Sequence, residues 1–205
     1  NEGYKEVLRS IASSEPTPGG GSVAALALAH AHSLAMMVAR LTEGKKKWAD
    51  GHETAQSVIS ESQAGLAESL RLAEIDAEAF ESVMSAYRLP RETEEEKEIR
   101  KKSIRDATIG AAEAPLATAS SARRLLSSLE RLCESCNENA LTDLASSSEL
   151  CLSAVKIAAM NVRINLDFID GDDVDRLSSQ IDKVVHQSTT SAEAIALKVN
   201  ERLGW

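Results

Sequence analysis

A chain of 205 residues with 43% hydrophobic side chains is long enough to bury a core without disulfides or metals, which argues against global disorder and small stapled folds. Aromatic residues make up only 3%, so the core has to be built from Ala, Leu, Ile, Val and Met. A formal net charge of -9 repels nucleic-acid backbones and anionic membranes and sets both aside as partners.

Tyr4, Val7, Leu8 and Ile11 form one stripe of a short amphipathic helix ending near Ser13 and Ser14. The breaker Pro16-Thr17-Pro18-Gly19-Gly20-Gly21 follows, and Ser22 is placed to cap a very apolar helix reaching about Leu41. That helix is Ala-rich and holds His30, His32 and Arg40, which favours a buried core helix over a membrane span. Gly44 and Lys45-Lys46-Lys47 connect it to a long helix from about His52 to Tyr87. On that helix Leu66, Leu70, Ala73, Ala77, Phe80, Met84 and Tyr87 alternate steps of four and three, and we expect this stripe to face the core. Pro90 closes it, and Thr93 with its acidic followers opens the next helix. Pro115 is expected to kink or divide that helix. Asn137-Glu138-Asn139 marks a loop, a further long helix runs from about Thr142 to Ile169, and after the turn at Gly171-Asp172-Asp173 a last helix runs to about Arg202. No strand-like alternation occurs. The pattern predicts an all-α protein, one domain over 1–205, folded as an elongated bundle of about five to seven helices.

Three features carry chemistry. In the first, Gly19, Gly20, Gly21 and Ser22 lead into a helix N-terminus, whose unpaired N–H groups suit an anion or the polar edge of a heterocycle. The same residues serve equally as a tight interhelix turn. No Gly-Lys-Ser/Thr follows, so this is not a nucleotide P-loop, and no strand precedes it as a dinucleotide fold requires. The second is Asp76, which shares a helix face with Leu72, Ala79 and Val83. A carboxylate among apolar neighbours has its pKa raised toward the range useful for proton transfer. Otherwise it sits at an edge, paired with a cation such as Arg71. The third lies on the late helix, where Asn137, Asn139 and Asp143 stand at the start, Asn161 and Asn165 stand one turn apart further along, and Asn161 interrupts the stripe Ile157, Ile164, Phe168. A buried amide needs partners, which are either neighbouring helices or a polar ligand.

Other groups are weaker candidates. Lys45, Lys46 and Lys47 are a basic patch that is either solvated linker or a seat for ligand carboxylates. His30 and His32 are two apart on a helix and cannot share a metal, and His52 and His186 are isolated, so no metal site is expected. Cys133, Cys136 and Cys151 lack a second ligand pair and read as structural thiols. Nothing resembles a signal peptide, and a cytoplasmic protein is expected.

Four blocks in order resemble the formimidoyltetrahydrofolate cyclodeaminase / methenyltetrahydrofolate cyclohydrolase family: EPTPGGGSVAALALAHAHSLAMMVARLTEGKKKW, IDAEAFESVMSAYRLPRETEEEKEIR, NENALTDL and AAMNVRINL. The likeness fades in the last helix. Trp48 stands where Tyr or Phe is expected, and Cys136 where Gly is usual. The resemblance implies a helical homodimer acting on a tetrahydrofolate derivative, with no metal and no other cofactor. The reaction it implies is closure of 5-formimidoyltetrahydrofolate to 5,10-methenyltetrahydrofolate with release of ammonia, or hydrolysis of the methenyl compound to 10-formyltetrahydrofolate. It raises Asp76 to the proton-transfer group and Gly19, Gly20, Gly21, Ser22, Lys45, Lys46, Asn139, Asp143 and Asn161 to substrate-binding residues. The alternatives are a non-catalytic helical dimer that binds folate or acts as a scaffold, and a phosphate- or nucleotide-binding enzyme using the glycine loop.

Overall fold

The computed structural model describes residues 2–205, and among these there is no strand. Six α-helices follow one another: α1 (Glu2–Ile11), α2 (Gly20–Glu43), α3 (His52–Tyr87), α4 (Glu94–Cys133), α5 (Leu141–Leu166) and α6 (Asp172–Leu203), with 3-10 turns at Lys46–Gly51 and Glu138–Ala140. The 40 residues of α4 extend roughly 60 Å at the standard helical rise and set the long axis.

α2 lies between α3 and α5, α4 packs behind them, and α6 fills the angle between α4 and α5. Ala24, Ala25, Ala31, Ala35 and Ala39 of α2 are fully buried together with Leu28 and Val38. Such small side chains let neighbouring helices approach on several sides. By length and composition α2 is apolar enough to cross a bilayer, but here most of it is buried at the middle of the bundle.

α3 corrects the expected core stripe. Its buried positions are Ala55, Val58, Ser62, Gly65, Ser69, Leu72 and Ala86, a stripe of mostly small residues. Leu70, Phe80 and Tyr87 are exposed instead. The reason is the close packing of α3 against α2 and α4, which fills most of that face with Ser, Gly and Ala. Leu72 and Asp76 belong to this inward face, so the sharing of a face by these two, Ala79 and Val83 is correct.

Pro115 neither divides α4 nor ends it; the helix runs through from Glu94 to Cys133. Thr93 opens it with a reciprocal cap: the Glu96 N–H donates to Thr93 Oγ1 at 3.1 Å, and the Thr93 N–H donates to Glu96 Oε2 at 3.0 Å. At the other end Arg202 of α6 donates to the carbonyls of Cys133 and Cys136, both at 2.7 Å. Burial pushes the Cys133 thiol up to about 12, with Cys136 adding to the shift, and Cys136 and Cys151 are raised by the same cause. All three cysteines are therefore buried, protonated packing groups.

Candidate active site

The glycine run ends as the N-terminus of α2. Gly19 is the N-cap residue, in an extended conformation with no side-chain cap, and Ser22 lies three residues into the helix rather than at its cap. The unpaired N–H groups there need an acceptor from elsewhere. Asp76 of α3 lies against them: Ser22 Oγ is placed to donate to Asp76 Oδ2 at 3.0 Å, and the Ser22 backbone N–H helps hold down the pKa of the carboxylate. Ser22 Oγ is also 3.1 Å from the Ala73 carbonyl, so its single proton has two acceptors. A Cβ at position 21 would overlap the Asp76 carboxylate, so this approach requires glycine. Residues 54 apart in the chain thus meet at one point.

Burial raises the pKa of Asp76 above its ordinary value, while the Ser22 hydrogen bonds pull it back. Neither Arg71 nor any other cation contributes to that balance, which removes the reading of Asp76 as half of an edge ion pair. The carboxylate is half-buried and lines a cleft of about 510 Å³. Pro16, Thr17, Gly19, Gly20 and Gly21 form one wall, and Phe80, Val83 and Tyr87 of α3 a second. Thr108 and Ala111 of α4, Asn161, Ile164 and Asn165 of α5, and Phe168 in the turn just after α5 close the rest. The walls are apolar and aromatic, and the polar groups are a carboxylate, two amides, two threonines and a helix N-terminus. Such a cleft suits a flat heterocycle with a polar edge.

Among the residues expected in the site, the structure brings Gly19, Gly20, Gly21, Ser22, Asp76 and Asn161 together. Asn161 Nδ2 donates to the Ile157 carbonyl of its own helix at 2.9 Å, and its amide lies against Gly20, so it serves both its helix and the cleft. Lys45, Lys46, Asn139 and Asp143 do not line the cleft. They gather at the opposite end of α2, where Asn137 Nδ2 donates to the Leu41 carbonyl and the Asn137 N–H to Thr42 Oγ1, both at 3.0 Å. The 24 residues of α2 put roughly 36 Å between that end and Gly20. Within one chain these four residues are therefore too far away to touch the same small molecule as Asp76.

Thr108 and the aromatic wall went unassigned from the sequence, and Asn165 was noted there but given no site role. Asn165 stands one turn after Asn161, which is a visible signal, but its value depends on a carbonyl of α4 that no local pattern announces. Among the described residues no cluster of His, Cys, Asp and Glu is arranged to hold a metal ion.

Fold and cleft together define an all-helical bundle whose glycine-opened helix end is met by a half-buried carboxylate from a neighbouring helix. Residues 3–183 match the formiminotransferase-cyclodeaminase family, and the chain belongs to it. It is 36% identical over 171 residues to a methenyltetrahydrofolate cyclohydrolase of Methylorubrum extorquens, covering 83% of this chain and 82% of that one. It is 29% identical to the formimidoyltransferase-cyclodeaminase of Rattus norvegicus over 92% of this chain but only 35% of that longer protein. The crystal structure of formiminotetrahydrofolate cyclodeaminase from Thermotoga maritima superposes with a TM-score of 0.81 at 28% identity, over 98% of this chain and 94% of that one.

Proposed function

We propose that this protein is a one-carbon enzyme that converts 5-formimidoyltetrahydrofolate to 5,10-methenyltetrahydrofolate and ammonia, hydrolyses 5,10-methenyltetrahydrofolate to 10-formyltetrahydrofolate, or does both. The observation that carries the proposal is the Asp76 carboxylate, raised in pKa by burial and seated against the α2 N-terminus in a cleft sized for a pterin.

Both reactions pass through a tetrahedral carbon between N5 and N10. In the cyclisation N10 attacks the formimidoyl carbon, the N10 proton passes to the Asp76 carboxylate, and the carbon–nitrogen bond to the departing ammonia breaks as that nitrogen gains a proton. In the hydrolysis a water oxygen attacks the methenyl carbon, Asp76 takes a water proton, and the bond to N5 breaks as N5 is protonated. A carboxylate that accepts a proton and returns it serves either route, and a raised pKa makes it the stronger base for the first transfer. The Ser22 hydrogen bonds hold the carboxylate in place. The aromatic and apolar walls orient the ring system, a large share of the rate for an intramolecular closure. Neither reaction changes oxidation state, and we assign no metal and no cofactor beyond the folate substrate.

We assign the protein to the cytoplasm, acting without nucleic acid or membrane, as a homodimer. What supports the dimer is the outer face of α2, where Met37 and Leu41 are exposed, flanked by exposed Leu70 of α3 and by α1, which buries none of its residues. The midpoint between Gly20 and Lys46 is Ser33, on that same face. Antiparallel pairing about a two-fold axis there would set the Lys45–Lys46 end of one copy against the Gly20 end of the other. The lysines would then reach the substrate's glutamate tail, which no cation lining the cleft receives.

The test is spectrophotometric, because methenyltetrahydrofolate absorbs in the near ultraviolet. Its appearance from the formimidoyl compound marks the cyclisation and its loss marks the hydrolysis. Asp76→Asn should lower kcat by about a hundredfold or more and keep the fold. Wild-type kcat also falls as pH drops through the raised pKa of Asp76, because the base is then protonated. A wild-type protein that binds folate without turnover would make it the non-catalytic dimer instead, and binding of a nucleotide but no folate would point to the nucleotide alternative.

A further inference from the structure

Pro115 lies inside α4 and has no N–H to give to the carbonyl four residues before it, that of Ala111. A carbonyl robbed of its partner inside a helix has to find another donor. Here Asn165 of α5 provides it, with Nδ2 donating to the Ala111 carbonyl at 3.0 Å. The same Nδ2 donates to the Asn161 carbonyl at 2.8 Å. An amide nitrogen carries two hydrogens, and both are now in use. Turning the amide over would set its oxygen against two carbonyl oxygens, which none of the three could satisfy. The orientation of Asn165 is therefore dictated from two helices at once. Its Oδ1 accepts no hydrogen bond among the described residues, and both Asn165 and Ala111 line the Asp76 cleft.

We infer that Pro115 is a positioning residue which, through Asn165, fixes an acceptor in the substrate cleft, and that Asn165 is a specificity-determining residue recognising an N–H donor on the substrate's heterocycle. The inference rests on the folate reading and deepens it: a reduced pterin offers such donors along its aminopyrimidinone edge and at N8. The proline thus works by what it lacks. It frees one carbonyl, that carbonyl engages one amide hydrogen, and the amide oxygen is left pointing at the ligand as an acceptor and nothing else. A heterocycle with an acceptor at that place would face a lone pair and bind poorly.

The reversal is a single substitution. Pro115→Ala restores an N–H at position 115, which can bond the Ala111 carbonyl and release Asn165. Steady-state kinetics on methenyltetrahydrofolate would compare wild type, P115A, N165A and P115A/N165A. Asn165→Ala is expected to raise KM about tenfold with kcat nearly unchanged, the signature of a lost binding contact away from the reacting carbon. P115A is expected to raise KM severalfold. The double variant should match N165A, because Pro115 has nothing left to act through once Asn165 is gone. If N165A alone fails to fold, the double variant still carries a donor for Ala111 and supplies the comparison with P115A. A second readout is the Asn165 side-chain amide, whose hydrogens should exchange slowly with solvent in wild type and fast in P115A. A wild-type KM in P115A, or losses from the two substitutions that multiply, would overturn the inference while the folate reading stands. No turnover of folate by the wild type would overturn both.

Discussion

His32 packs its ring on the bare backbone of Gly65, where a Cβ would strike the imidazole. It is buried, and neither ring nitrogen finds a partner. Burial pulls its pKa down from 6.5 to about 4, with Arg124 adding to the fall and Glu68 opposing it. The ring is therefore neutral in the folded protein. The unfolded chain takes up a proton near pH 6.5 that the folded chain refuses, so stability is lost as pH falls from there toward 4. The loss is at most about 3 kcal/mol. His32→Leu removes two unsatisfied polar atoms from the interior. It should unfold at an equal or higher temperature at pH 7 and lose less stability between pH 6.5 and 4, as thermal melts across that range would record. A steeper acid loss in the variant would contradict the neutral, unpartnered ring. His30, two residues away, is exposed and lies 3.3 Å from the Tyr4 hydroxyl, so the two histidines do point apart.

Between elements, the contact of α2 with α3 is governed by small residues. Gly65 leaves the space on α3 that His32 occupies, and Gly21 leaves the space that Asp76 occupies from the other side. Two glycines on different helices thus each admit one side chain across the same crossing. Gly65→Ala should cost about 1–3 kcal/mol, since the ring it meets is wedged between helices and cannot swing free. A chemical-denaturation midpoint lowered with unchanged slope would show it. Activity below the melting transition should survive, because the Asp76 end of the crossing lies more than two turns away. Periodicity alone selected the stripe of large residues on α3 as the buried one. It missed the inward face because closeness of approach, not hydrophobicity, chose the residues there.

At the level of the whole molecule, the two ends of the bundle carry different halves of the expected site. The Gly20 end holds the carboxylate and amides, and the far end holds Lys45, Lys46, Asn139 and Asp143. The proposed antiparallel dimer through the outer face of α2 would reconcile them without moving any helix. Light scattering should give about twice the 22.0 kDa of one chain. Met37→Glu, on the exposed face and roughly 24 Å along α2 from Gly21, should yield a monomer with greatly weakened folate binding. A monomeric wild type with full activity would remove the two-fold arrangement and leave the lysines as solvated linker.

Much of this protein was written locally. Helical periods, the breaker at Pro16–Gly21, the Thr93 cap and the turn at Gly171 reported helix type and boundaries to within a few residues, because each depends on chain neighbours only. The approach of Asp76 to the glycine loop was legible only through the resemblance of the blocks around both. Tertiary packing alone decided that α3 turns its small face inward, that Ser22 binds a carboxylate instead of capping its helix, that Pro115 leaves α4 whole, and that the lysines stand a helix length from the cleft. Each of these outcomes depends on which groups meet across helices, and a one-dimensional pattern records the faces of a helix but not what stands opposite them.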